Sequence, residues 1–217
     1  MTTQTLTAPI KTLADLLDRL GGVPPERIRS RPAPGSATLQ DVIDAERNEG
    51  ILCELVDGVL VEKAMGINES SIALYIGEML NAFVRKRNLG FVTGADGTFE
   101  LMPDLVRIPD VAFTDWDRLP RRSRPTAPIP RLCPNLAVEV LSQSNTRGEM
   151  ARKRRDYFGA GVELVWEIDP EDRTVVVYTS ATAGTTLGVA DSLDGGTVLP
   201  GFVLPVRELF AELDRVG

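Results

Sequence analysis

The chain contains no histidine. That removes a Ser-His-Asp triad, a Cys-His pair, a histidine zinc site and any nuclease that relies on a histidine base. Cysteine is almost as scarce. Cys53 and Cys133 stand far apart and form no paired spacing, so neither a zinc ribbon nor a redox motif is encoded. Two buried structural thiols in a reducing compartment are expected. Aromatic residues make up only 6% of the chain, so the core must be mainly aliphatic. No apolar run approaches the roughly 20 residues of a membrane span. The opening "MTTQTLTAPIKTLADLL" lacks the basic-then-apolar order of a leader. A cytoplasmic protein without membrane contact is expected. An excess of positive charge is missing too. The formal net charge is −7, so the molecule as a whole does not attract nucleic acid, and any such contact needs local basic surface.

What is present suits one α/β domain with appendages. The 217 residues, 43% hydrophobic and 25% charged, are ordinary for a globular chain. Residues 1–11 read as a loose tail, 12–50 as a helical extension and 51–217 as the main domain. Within the extension, "TLADLLDRLGG" and "TLQDVIDAERNEG" read as short helices, Thr38 capping the second. "ELV", Asp57-Gly58 and "VLVE" read as a hairpin. "NESSIALYIGEMLNAFVRKRNLG" spaces Ile72, Ile76, Met79, Leu80 and Phe83 on one helical face. Its end is marked by Arg85, Lys86, Arg87 and a stopping Gly90. "FVTGADGTFELM" and "LVRIPDVAF" read as strands. So does "LAVEVLS", which leads into the helix "TRGEMARKRRDYFGAG". "VELVWEI" and "RTVVVYT" form a second hairpin, and short strands with a final helix close the chain. The order predicts a mixed β-sheet flanked by helices.

Two acids sit where apolar residues belong. Asp110 lies in "RIPDVAF" and Glu139 in "LAVEVLS". Strand alternation puts Asp110 on the face of Ala112 and Glu139 on the face of Ala137, so each has a small neighbour. On adjacent strands the carboxylates would converge. At about 4 Å and an effective dielectric near 20, such charges repel by about 4 kcal/mol. A shared proton or a divalent cation relieves that, and oxygen-only ligands favour Mg²⁺ or Mn²⁺. On the next helix Glu149, Lys153 and Tyr157 share a face, which aims Lys153 back at the acids. Each residue also has a plainer reading. Asp110 suits a turn after Pro109. Thr146 and Glu149 match a capping box. Lys153 suits a solvated helix face, Tyr157 the core, and Glu54 a hairpin edge.

Taken in order, "ELVDGVLVEKAMG", "VRIPDVAF", "LAVEVLSQSNTRGEMARKRRDYFGAGVELVWEIDP" and "LPGF" resemble the Uma2 family of the PD-(D/E)xK nuclease superfamily, from about residue 12 onward. The resemblance implies a restriction-endonuclease-like core over 51–217, Mg²⁺ or Mn²⁺ dependence and hydrolysis of nucleic-acid phosphodiesters, DNA before RNA. It makes Asp110 the acid of the "PD" motif and Glu139 the second acid. Both would hold metal, with the Val140 backbone carbonyl as third ligand. The superfamily's lysine normally stands two residues after that glutamate, where this chain has Leu141. Lys153 takes its part from the next helix. Glu54 matches the acid before the first hairpin, and Glu149 and Tyr157 are supporting residues. Relatives carry a histidine where this chain has Asn68-Glu69-Ser70. Arg121, Arg122 and Arg124 in a long loop, with Arg152 and Arg154 beside the site, are candidate phosphate contacts. A homodimer would suit cleavage of both strands of a duplex. The rival class is a nuclease-fold binding or regulatory module without catalysis.

Overall fold

The computed structural model describes residues 11–64 and 66–214. The expected tail, residues 1–11, lies outside the described residues except for Lys11. Helix α1 (Leu13–Arg19) opens on a capping box between Thr12 and Asp15. Helix α2 (Leu39–Asp44) opens on the same device between Thr38 and Asp41 and runs into a π-turn closed by Gly50. Strands β1 (Cys53–Val56) and β2 (Val59–Glu62) pair directly across Asp57 and Gly58, whose φ angles are 52° and 73°. Both central residues take positive φ in this tight turn, which is why Asp-Gly is favoured there.

Helix α3 (Ile67–Arg87) buries Ile72, Ala73, Ile76, Leu80 and Val84 along one stripe. It ends at Asn88 in the left-handed region, not at Gly90 as the sequence suggested. Asn tolerates that conformation. Gly90 is needed for a different reason. It lies in β3 (Gly90–Thr93), where a Cβ would stand 2.0 Å from the Thr114 carbonyl oxygen of the neighbouring strand.

Then come β4 (Phe99–Met102), β5 (Leu105–Arg107) and β6 (Val111–Asp115). The sequence reads "LVRIPDVAF" as one strand, but it is two, in different sheets. Pro109 has no N–H to donate, and the ladder breaks there. Asp110 therefore sits at the crossing between β5 and β6 and not within a strand.

Strand β7 (Leu136–Val140), helix α4 (Arg147–Ala160) and strand β8 (Leu164–Asp169) form a β-α-β unit with β7 and β8 parallel. Strands β9 (Thr174–Tyr178), β10 (Gly184–Leu187), β11 (Ser192–Gly195) and β12 (Leu199–Pro205) and helix α5 (Val206–Ala211) complete the chain. The main sheet has the order β10-β9-β8-β7-β6-β3. A smaller sheet has the order β2-β1-β5-β4, and β11 pairs with β12 alone. The mixed sheet flanked by helices is as expected.

The main sheet separates two apolar cores. Val111, Phe113, Val138, Val140 and Trp166 face α3 and α5. Ala112, Ala137 and Val165 face α1, the small sheet and Tyr157 of α4. Burying each large apolar side chain stabilises the fold by about 1.5–3 kcal/mol. Residues 12–50 clamp onto α4. The Thr146 hydroxyl donates to the Gly21 carbonyl at 2.7 Å, and Arg152 donates to the Arg19 carbonyl at 3.1 Å. Of the two free thiols Cys53 is buried, and burial pushes it up to about 11, whereas Cys133 is only half-buried.

Candidate active site

The two sheets meet where β5 passes into β6, and the charged residues gather at that junction under α4. Ala137 and Glu139 alternate onto the α4 face of β7, as strand parity requires. Lys153 and Tyr157 descend from one face of α4. The Lys153 ammonium lies 2.9 Å from Glu139 Oε2 and 3.2 Å from Glu54 Oε1. The Tyr157 hydroxyl donates to Glu139 Oε1 at 2.5 Å. Asp110 adjoins them. The last register pair of the β6–β7 ladder is Val111 with Val138, and one further step sets Asp110 opposite Glu139. Beyond that point the Asp110 side chain continues the pairing, its Oδ2 accepting the Val140 N–H at 2.7 Å. Asp110, Glu139, Lys153 and Glu54 are all at most 5% exposed.

Glu54, reached from the hairpin, is part of the same cluster and not an edge charge. Its Oε2 meets Arg107 at 2.6 Å, and its Oε1 accepts the Ile108 N–H at 3.1 Å. Arg107 also pairs with Asp156, which Arg152 contacts at 2.9 Å. Glu149 stands apart. The Thr146 side chain caps α4 as expected, but the Glu149 carboxylate does not return the bond. It turns to Arg27 at 3.0 Å and to Asn145 at 3.2 Å.

Three members went unread in the sequence. Lys63, one residue past β2, sets its ammonium 2.7 Å from Asp110 Oδ1 and 2.5 Å from the Ile108 carbonyl oxygen. Arg107 and Asp156 are the others. The clue for Arg107 was the clue used for Glu139, a lone charge inside a short apolar run. Nothing local marks Lys63 or Asp156.

The electrostatics follow from burial against pairing. Burial pushes the Glu139 carboxyl up, and the Asp110 charge adds to this, with Lys153 opposing. Burial works the same way on Glu54, but Lys153, Arg107 and Lys63 outweigh it and hold that carboxyl well below the usual range. Burial disfavours the Lys153 ammonium, yet Glu139 and Glu54 more than compensate and keep it protonated.

The donor set suits a hard cation. Asp110 and Glu139 present carboxylate oxygens near each other, and no imidazole or thiolate competes. Among the described residues no group of three carboxylates or thiolates is arranged to hold a metal ion. Mg²⁺ commonly needs only one or two carboxylates and completes its shell with water and substrate phosphate, so the residues fit such an ion.

The candidate phosphate contacts divide. Arg121 and Arg122 are exposed, and Arg122 has only a loose 3.4 Å pair with Asp117. Arg124 covers the Phe91 ring at 4.7 Å. Arg152 is committed to Asp57 and Asp156. Arg154 is committed to Glu167 at 2.7 Å and to the Tyr178 ring. A cleft of ≈ 700 Å³ opens past the end of β7, and none of Glu54, Lys63, Asp110, Glu139 or Lys153 lines it. Its lining includes Leu141 and Ser142 just past β7, Arg147 and Arg154, and Glu167, the register partner of Glu139.

The model of the Uma2 family, described as "Putative restriction endonuclease", matches residues 39–207. A crystal structure from Anabaena variabilis ATCC 29413, described as "a putative nuclease belonging to DUF820", is similar at a TM-score of 0.68 and 20% identity. The match covers 81% of this chain and 98% of that one. At that identity the likeness speaks for the fold alone, a mixed α/β one with helices flanking the sheet. No curated protein matches. Among the described residues no helix is long and apolar enough to cross a membrane.

Proposed function

This chain belongs to the Uma2 family, and from that premise we propose that the buried cluster is the active site of a divalent-metal-dependent nuclease. Its substrate would be the phosphodiester backbone of nucleic acid, DNA before RNA. The observation that carries the reading is Lys153. A helix reaches down to place a buried ammonium 2.9 Å from a strand carboxylate, next to a second acid on the adjoining segment. A solvated helix lysine has no reason to be there.

Asp110, Glu139 and the Val140 carbonyl would hold Mg²⁺ or Mn²⁺. When bound, such an ion supplies positive charge to the phosphate and acidity to a water molecule. The chain's own residues do the rest. Tyr157 fixes the Glu139 carboxylate by holding one oxygen. Glu54 and Glu139 together orient the Lys153 ammonium and keep it charged. Lys153 is therefore a donor to the charge that develops on phosphate oxygens and not a proton acceptor. Glu54 is itself held by Arg107 and the Ile108 N–H. Arg121, Arg122 and Arg124 would meet phosphates outside the site; Arg152 and Arg154 would do so nearer to it only by leaving Asp57, Asp156 and Glu167. Two copies would place two sites on a duplex. A second reading, a nuclease-fold binding module without catalysis, draws on the fact that each acid of the cluster already has a cationic side-chain partner.

Calorimetry with Mg²⁺ and Mn²⁺, paired with cleavage of single- and double-stranded DNA and RNA, separates the readings. Wild type should bind metal and cut. Glu139→Gln should lose metal affinity and turnover together. Lys153→Ala should keep metal and lose turnover about a hundredfold, the scale of deleting one transition-state donor. Metal binding without cleavage of any substrate would favour the module. An unimpaired Lys153→Ala enzyme would remove Lys153 from the mechanism.

A further inference from the structure

Lys63 has no part in the mechanism above, yet it touches the acid on which that mechanism depends. Its ammonium reaches one oxygen of Asp110, while the Val140 N–H takes the other. Glu54, Asp110 and Glu139 thus face Lys63, Arg107 and Lys153, and the chain balances its own acids. A dication entering between Asp110 and Glu139 would meet an ammonium on each. Each ammonium weakens the pull of its carboxylate on a dication, and the more loosely held of the two is the one a dication would displace.

The two lysines are not equally held. Lys153 sits inside α4 and is gripped by two carboxylates. Lys63 lies just beyond the end of β2 and precedes the exposed Ala64; its side chain is 9% exposed, and its ammonium meets one carboxylate and a neutral carbonyl where Lys153 meets two carboxylates. Its backbone is pinned by the bond from its N–H to the Leu52 carbonyl at 2.9 Å, so only the side chain needs to swing. We infer that Lys63 is a counter-cation built into the site, which holds Asp110 until a divalent ion displaces it and so sets how tightly the site takes metal. This rests on the metal-dependent reading.

Calorimetric titration of Mn²⁺ into wild type, Lys63→Met, Lys63→Gln, Lys63→Arg and Glu139→Gln tests it. Lys63→Met should bind Mn²⁺ at least tenfold more tightly than wild type. Lys63→Gln, which can still donate to the Ile108 carbonyl, should do the same. Lys63→Arg keeps the charge and should stay near wild type, an outcome that a merely structural role would not produce. In unaltered protein, Mn²⁺ should also raise the reactivity of the Lys63 amine toward acetylation, read by mass spectrometry. Wild type that binds Mn²⁺ while the neutral variants bind no more tightly would overturn the inference and leave the nuclease reading standing. So would Lys63 reactivity that ignores metal saturation. Absence of Mn²⁺ binding by wild type and every Lys63 variant at tens of millimolar would overturn the metal-dependent reading, and this inference with it.

Discussion

Glu54 shows how one residue carries both the fold and the site. A carboxylate held low contributes stability that is complete above the ordinary unfolded value of about 4.3 and is lost as the pH falls toward the folded value. Its partners Lys153, Arg107 and Lys63 are the cause. Glu54→Gln removes that contribution. The difference in unfolding free energy between wild type and Glu54→Gln should therefore be widest near pH 7 and shrink below about pH 4.3. Urea titrations at several pH values measure it, and a difference that does not change with pH would contradict the pairing. Glu139 was legible because it breaks a local rule, a charge inside an apolar run, whereas Asp110 and Lys153 each had a plainer local reading and were singled out by the resemblance. Lys63 was not legible. It ends a strand where a lysine is unremarkable, and its partner Asp110 is 47 positions on (110 − 63 = 47), a distance that no helix or strand period spans.

At the scale of elements, the turns were the most legible features. Asp57-Gly58 demanded a tight hairpin and Asp169-Pro170 marked the β8–β9 reversal, because positive φ and a missing N–H are local properties. The division of "FVTGADGTFELM" and "LVRIPDVAF" between two sheets was not legible, since partner choice depends on distant strands. That division matters, because it leaves Asp110 at a crossing where its side chain can bond Val140. The docking of α1 on α4 was hidden for the same reason. Gly21 has φ +79°, and a Cβ there would stand 2.4 Å from the Gly148 backbone. Gly21→Ala should destabilise the protein by about 1–3 kcal/mol through strain and lost docking. Urea unfolding measures this, and an unchanged midpoint would show that the contact contributes nothing.

The whole molecule carries a net charge of −7, so a nucleic-acid partner must be met by local surface. The exposed Arg121, Arg122 and Arg124 are the surface proposed for that contact. Replacing all three with serine should weaken binding of a DNA duplex and flatten its salt dependence, because each phosphate contact releases counterions. Filter binding at several salt concentrations reads the slope, and an unchanged slope would return the loop to solvent. The most direct measurement, however, is at the centre. Diffraction from crystals soaked in Mn²⁺, recorded at the manganese absorption edge, should show an anomalous peak bonded to both Asp110 and Glu139, with the Lys63 ammonium drawn away from Asp110. A peak elsewhere, or none with the Lys63–Asp110 and Lys153–Glu139 pairs intact at saturating Mn²⁺, would contradict a metal-dependent nuclease at this site.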